Sequence, residues 1–451
     1  MVALLLVAVM CAAAPAASRD RTPLAGIAYY DTAAAAGSTS IVVRTRDDRD
    51  LDAVATDASH RGYTIVRRAT DPPALELRPP AGVSIEGAVT AIASLRGVAY
   101  AEPAYTMRLS DVPSAPLYAK EASYLAAEHA PEAWDIEKGR SSVIVAILDT
   151  GIDVTHPDLQ GRIWTNPRET DANGVDDDGN GCIDDVHGCA FVIDPAAGCA
   201  SPANGDVRDD LGHGTFVSGI VAANGSSGMV GVARGVTIMP VKVLDCTGGG
   251  SSFAFAQGIL YAVKNGASLL NVSLGGPTDS AYIREAIRIA RDKYGVLLVA
   301  ATGNTAGPVA YPAHYPEVLA VGAESADHPG QRAPFSGAGP EVDVVAIGQG
   351  IVGTTPKGAC HTFLTCAPDD DLHAIGDGTS FAAPQVTGLV ALMLSHNRYL
   401  TPDQIINIVK ASADPRVGGE PIGWAGAGRI NMLRALTPQF RLGAPGTTRG
   451  S

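Results

Sequence analysis

Basic residues are in deficit along these 451 residues: 33 lysines and arginines face 47 aspartates and glutamates, a formal charge of −14. A chain that neutralises phosphates needs the opposite balance, so nucleic acid is not expected as a partner. Aromatics are sparse too, at 5%, while glycine reaches 51 residues. Such a core is filled by aliphatic and small side chains, with backbones in close approach. Paired C-x-x-C spacing is missing, which argues against zinc. Beyond residue 17 no apolar run approaches the length of a bilayer span, so no membrane partner is expected.

What is present begins with an export signal. Residues 2–17 are apolar, too short to span a membrane, and end in Ala14-Pro15-Ala16-Ala17-Ser18. Residues 1–18 are read as a signal peptide, and the protein as secreted and extracellular. Six cysteines follow: Cys182, Cys189, Cys199, Cys246, Cys360 and Cys366. An even number in an exported chain points to disulfides, with fifteen possible pairings. A short loop favours Cys360 with Cys366.

The order of apolar patterns divides the rest. Between residues 38 and 105 they read β-α-β-β-α-β, a small α+β domain of ferredoxin-like kind. Residues 106–125 are polar enough for a linker, and 437–451, rich in glycine, proline and threonine, for a flexible tail. Between 126 and 436 continuous apolar strands alternate with helical periodicity. That is the pattern of an α/β fold with a mostly parallel sheet covered on both faces. Strands are expected at residues 143–148, 237–243, 269–274, 296–301, 319–322 and 342–346. Helices are expected at 213–223, 252–265, 281–293, 380–396 and 402–412.

Four polar residues sit where such a sheet can do chemistry. Asp149 directly follows the apolar run 143–148, at the carboxyl end of a buried strand. His213 lies between two glycines at the start of a small-residue helix. Ser380 opens another helix, among unpaired N–H groups; Pro384 is read as lying within its first turn. Asn304 follows a third buried strand. Taken singly each has an ordinary explanation as a turn, surface or capping residue. Together they supply a hydroxyl, a base, a carboxylate to orient that base, and an N–H donor for an oxyanion.

These motifs resemble the subtilisin-like serine protease family. The matching pieces are Val145-Ala146-Ile147-Leu148-Asp149-Thr150-Gly151-Ile152-Asp153 with His156-Pro157-Asp158-Leu159, then Gly212-His213-Gly214-Thr215, Gly303-Asn304, and Gly378-Thr379-Ser380-Phe381-Ala382-Ala383-Pro384. The order Asp, His, Ser is that of subtilisin. The resemblance covers about residues 125–435. It implies a doubly wound, mostly parallel sheet, a triad of Asp149, His213 and Ser380, and Asn304 as oxyanion donor with the Ser380 N–H. It also implies that Gly248-Gly249-Gly250 and Ser273-Leu274-Gly275-Gly276, with Gly303, grip an extended protein or peptide substrate through the backbone. Main-chain grip implies a broad endopeptidase. Phe216, Phe381, Gln385 and Thr302 depart from common family residues and leave the pocket shape open.

The same resemblance makes residues 38–105 an inhibitory propeptide, the enzyme's own intramolecular inhibitor, removed by self-cleavage within 106–125. The mature enzyme is expected to be a monomer. An inactive binding scaffold is the alternative reading. Esterase action is a third, disfavoured because no G-x-S-x-G turn surrounds Ser380.

Residues 169–185 carry seven carboxylates in seventeen positions. Asp176, Asp178 and Asn180, then Cys182 and Asp184, partly match a calcium loop, although the closing glutamate is absent and His187 stands in its place. Structural Ca2+ is therefore expected here. The resemblance adds Asp158 as a ligand of a second site.

Overall fold

The computed structural model describes residues 27–28, 38–104, 113–192, 196, 198–200, 204–358, 365–366, 370–415 and 423–437. The chain splits into two compact units, Met1–Arg108 and Leu109–Ser451.

In the first unit the strands Ile41–Thr45, Thr64–Thr70, Pro73–Arg78 and Val98–Pro103 alternate with helices Asp48–His60 and Ile85–Ala93. Ile41–Thr45 lies between Pro73–Arg78 and Val98–Pro103, antiparallel to both, so Val43 faces Leu75 on one side and Ala101 on the other. Thr64–Thr70 adds to the far side of Pro73–Arg78. This is the β-α-β-β-α-β order expected from the sequence. Alternation in Ile41–Thr45 puts Ile41 and Val43 into a core with Leu75, Leu77, Val54, Val89 and Ile92. A short strand, Ile27–Ala28, runs parallel to Val98–Pro103 and was not expected.

The second unit is built on seven parallel strands. Their order is Val344–Ile347, Leu319–Glu324, Leu297–Ala301, Leu269–Val272, Ile144–Asp149, Thr237–Lys242 and Cys189–Ala190. Burial on both faces explains the unbroken apolar runs. Val145 and Ile147 enter one core, Ala146 and Leu148 the other. From Ile144–Asp149 the chain builds outward first on one side, through 189 and 237, and later on the other, through 269, 297, 319 and 344. The carboxyl end of that strand is thus the switch point of the sheet.

The helix Thr379–His396 is buried at every residue except Ser380 and His396. Gly388 allows this, because a Cβ there would come within 2.5 Å of Val232. The helix begins at Thr379, so Pro384 is its sixth residue and lies beyond the first turn. Its missing N–H leaves the Ser380 carbonyl without the usual partner four residues on, and the Ser273 hydroxyl donates to that carbonyl instead, at 2.8 Å. The expected helix 281–293 is an α-helix over Ala281–Arg288 continued by a π turn, Ile289–Lys293. A small antiparallel sheet of Ile351–Thr354, Thr365–Cys366 and His373–Gly376 was not anticipated. Among the described residues no helix is long and apolar enough to cross a membrane.

Candidate active site

Asp149 ends the central strand with no solvent exposure, and its Oδ1 accepts the Thr150 N–H at 2.8 Å. The chain then turns at Gly151, whose φ of +108° and whose approach to Val207 and Arg208 carbonyls leave no space for a side chain. Gly214 is needed for the same approach from the other side: a Cβ there would lie 2.1 Å from the Gly151 carbonyl oxygen. These two glycines let the helix His213–Ala222 press against the strand end. The His213 Nδ1 meets Asp149 Oδ1 at 2.7 Å. Burial disfavours the charged imidazole, but the Asp149 charge and hydrogen bond, with Asp209 behind, outweigh it and raise the His213 pKa above 6.5.

Asp209 is a residue that sequence reasoning missed. Buried at 8% exposure, it accepts the Thr150 hydroxyl, the Leu211 and Gly212 N–H groups, and both the N–H and the hydroxyl of Thr215. One carboxylate therefore ties the turn after Asp149 to the turn before His213. Lys242 works beside it, its ammonium bonded to the Thr150 and Arg208 carbonyls and 2.8 Å from Asp210.

Ser380 is half-buried in the first turn of its helix and donates from Oγ to the Ser273 carbonyl at 3.1 Å. The ring of its neighbour Phe381 lies 5.8 Å from that of His213 and 4.3 Å from that of Phe216. The two departures noted in the sequence thus form a tilted aromatic pair beside the imidazole. Asn304 is fixed by Thr379, another residue the sequence did not single out. Its Oδ1 accepts both the Thr379 N–H and hydroxyl, each at 2.8 Å, while Thr379 Oγ1 accepts the Gly303 N–H at 3.2 Å. With Oδ1 occupied, the amide nitrogen faces the space above Gly378, where a Cβ would come within 3.4 Å of it.

Beside these groups runs a cavity of about 600 Å³. Gly248, Gly249 and Gly250 line one wall, Leu274, Gly275 and Gly276 another, with Ile283 and Tyr311 further along. Gly248–Gly250 and Leu274–Gly276 therefore face one space, while Ser273 and Gly303 do not line it.

The acidic insertion differs from its expected arrangement. Of the acidic residues read as calcium ligands, only Asp178 joins a cluster, with Glu169 and Asp185; oxygens of these three lie within 4.8 Å of one another. Asp176 turns to the Asn180 and Gly181 N–H groups, and Asp184 to those of Asn173 and Gly174. Asn180 donates its amide to Asp185. Cys182 is bonded to Cys189, and a second disulfide joins Cys199 to Cys246. The favoured pair Cys360–Cys366 falls partly outside the described residues. Arg168 contacts Asp178 at 2.9 Å, and Tyr261 donates to Asp185. Burial raises the Asp185 carboxyl above its ordinary range. Glu169 Oε2 is buried without a partner among the described residues.

Asp158 is occupied otherwise. Fully buried, it accepts the Ser227 and Met229 N–H groups and His373 Nε2 at 2.8 Å, while His373 Nδ1 meets Asp370 at 2.7 Å. Burial disfavours the charged ring, but its hydrogen bonds to Asp158 and Asp370 outweigh it and raise the His373 pKa above its ordinary value, favouring the imidazolium. Burial would raise the Asp158 pKa, yet His373 and the backbone donors lower it to about 2. The carboxylate already has its cation.

Comparison with known proteins agrees with this geometry. The pattern defining the subtilase family matches residues 140–431. Thermitase from Thermoactinomyces vulgaris is 35% identical over 311 residues, covering 68% of this chain and 92% of thermitase. Subtilisin E from Bacillus subtilis (strain 168) is 34% identical over 281 residues, 60% of this chain and 61% of that protein. A solved structure of a protease from Pseudoalteromonas arctica PAMC 21717 superposes with a TM-score of 0.59 at 28% identity, covering 72% of this chain and 98% of that one. The chain belongs to the subtilase family of serine endopeptidases.

Proposed function

We propose that this chain is a secreted subtilisin-like endopeptidase, made as a precursor, that cleaves proteins through Ser380. His213 takes the proton from Ser380 Oγ as the oxygen attacks the scissile carbonyl. Asp149 holds the imidazole in the tautomer that leaves its other nitrogen free to accept, and stabilises the cation that forms. The Asn304 amide and the Ser380 N–H receive the charge on the tetrahedral oxygen. His213 then protonates the leaving amine, and water hydrolyses the acyl-enzyme by the same steps in reverse order. The observation that carries this reading is the 2.7 Å contact of His213 with a fully buried Asp149 at the switch point of the sheet. The Gly248–Gly250 and Ser273–Gly276 segments flank the cavity as two edges on which an extended substrate adds a strand.

Residues 38–105 are the inhibitory propeptide in this reading. Self-cleavage belongs upstream of Ala115, because Ala115 is buried in the second unit, the Leu117 N–H bonds to the Gly228 carbonyl, and Glu121 has no solvent exposure. Incubation with a fluorophosphonate and casein tests the whole assignment. Labelling at Ser380 with casein cleavage supports it; labelling with ester turnover alone, or none, refutes it in favour of an esterase or an inactive scaffold.

The acidic insertion is read as a structural calcium site held by Glu169, Asp178 and Asp185. Three carboxylates converge there with one arginine to offset them, and the orphaned Glu169 oxygen suits a hard cation that prefers oxygen ligands. When bound, the ion supplies charge neutralisation to the insertion and takes no part in catalysis.

A further inference from the structure

The glycine edge 248–250 raises a mechanical problem. It carries no side chains to pack, and it stands between two voids. On one side is the groove cavity; on the other a second cavity of about 510 Å³ is lined by Phe191, Val192, Ala196, Asp245 and Thr247, together with Gly249 and Gly250. Something other than packing must hold its shape.

We propose that Asp245 is a positioning residue that sets the substrate-facing polarity of this edge, an inference that rests on the peptide-cleaving reading above. Its carboxylate is 6% exposed and accepts four hydrogen bonds. Ala196 N donates to Oδ2 at 2.8 Å; Thr247 N at 2.8 Å, Thr247 Oγ1 at 2.7 Å and Gly249 N at 3.1 Å all donate to Oδ1. The Asp245 backbone repeats the grip, its N–H donating to the Gly249 carbonyl at 2.8 Å and its carbonyl accepting the Gly248 N–H at 3.0 Å. Both polar groups of Gly249 thus point away from the groove. Within a planar trans peptide group the N–H and C=O point in opposite directions, so the Gly248 carbonyl and the Gly250 N–H, which share peptide groups with Gly249, turn toward the groove. Among the described residues the Gly248 carbonyl and the Gly250 N–H have no partner. An acceptor and a donor are therefore presented to a substrate backbone.

A second tie acts from the same quarter. Cys246, the next residue, is bonded to Cys199, so the segment containing Ala196 is fastened to the edge both by disulfide and by Asp245. Burial alone would raise the Asp245 pKa, but the donors from Ala196, Thr247 and Gly249 bring it to about 2, so the carboxylate is ionised and accepts all four contacts near neutral pH.

The test uses the full active chain and p-nitroanilide peptides with one, two and four residues before the reporter. For the unaltered enzyme kcat/KM is expected to climb with length as the edge is engaged. In Asp245→Ala that climb shrinks by about tenfold, the worth of one substrate hydrogen bond, mainly through KM. Asp245→Asn, which keeps an acceptor oxygen for Gly249 and Thr247, restores most of it. An equal loss at every length, or no loss, overturns the positioning role. If the unaltered enzyme cleaves these reporters with no gain from length, the groove reading itself fails, a result distinct from the first.

Discussion

Thr379 grips Asn304 twice, through its N–H and its hydroxyl, both at 2.8 Å from the same amide oxygen. The amide is thereby oriented before any substrate arrives, and in the proposed mechanism its nitrogen receives the charge that develops during acyl transfer. Replacing Asn304 by Ala is expected to lower kcat by about 100-fold or more with little change in KM, the order known for this donor in a subtilisin. Thr379→Val keeps one of the two bonds and is expected to cost about tenfold in kcat. Steady-state kinetics on one peptide substrate checks both. A Thr379→Val enzyme as fast as the parent would show that the hydroxyl plays no part.

The base must be neutral to accept the Ser380 proton, and Asp149 with Asp209 raises the His213 pKa. The acid limb of kcat/KM is therefore expected to have its midpoint above 6.5, activity being lost as pH falls through it. In Asp149→Asn the residual activity should titrate at lower pH, because the counter-charge is gone. A pH–rate profile whose midpoint stays in place in that variant would separate His213 from the limb.

Glu128 is fully buried and its pKa is pushed up to about 8, chiefly by desolvation, against the lowering effects of the Ile347 N–H and Arg429. The folded chain keeps this proton after the unfolded chain has released it near 4.5. Stability from this group is thus fully present below that value and is lost as pH rises toward 8. Glu128→Gln removes the titration while leaving an acceptor for the Ile347 N–H. Between pH 5 and 8 the melting temperature of the variant should gain on that of the parent and then level off, measured on fluorophosphonate-blocked protein to prevent self-digestion. A constant difference would contradict the buried proton.

Chelation is expected to lower the melting temperature, and added Ca2+ to restore it. Glu169→Gln and Asp178→Asn should abolish that response, whereas Asp176→Asn, whose carboxylate is taken up by local N–H groups, should weaken it far less. Differential scanning calorimetry with and without EDTA decides. No shift in the parent protein would count against a resident cation.

The strands of the parallel sheet were legible because burial on both faces forces unbroken apolar runs, as in Ile144–Asp149 and Leu297–Ala301. The four polar residues of the site were legible because each sits at the end of such a strand or the start of a helix. Asp209 and Thr379 were not: an aspartate in a polar loop and a threonine before a serine acquire meaning only from partners that folding delivers. The strand His373–Gly376 is too short to show alternation. The acidic insertion is arranged differently from what its spacing suggests. Regular spacing of oxygens describes a chain whose carboxylates all turn inward, while Asp176 and Asp184 satisfy nearby backbone instead. Short-range turns outcompeted the long-range pattern.

The position of Ile144–Asp149 in mid-sheet has a temporal corollary. Its neighbour Leu269–Val272 lies more than a hundred residues later in the chain, and the helix bearing Ser380 follows Val344–Ile347 in sequence. Contacts so distant along the backbone form late and slowly. Until those distant strands have paired, the segments bearing Asp149, His213 and Ser380 have no common frame, so the arrangement of the site belongs to the completed layer of strands.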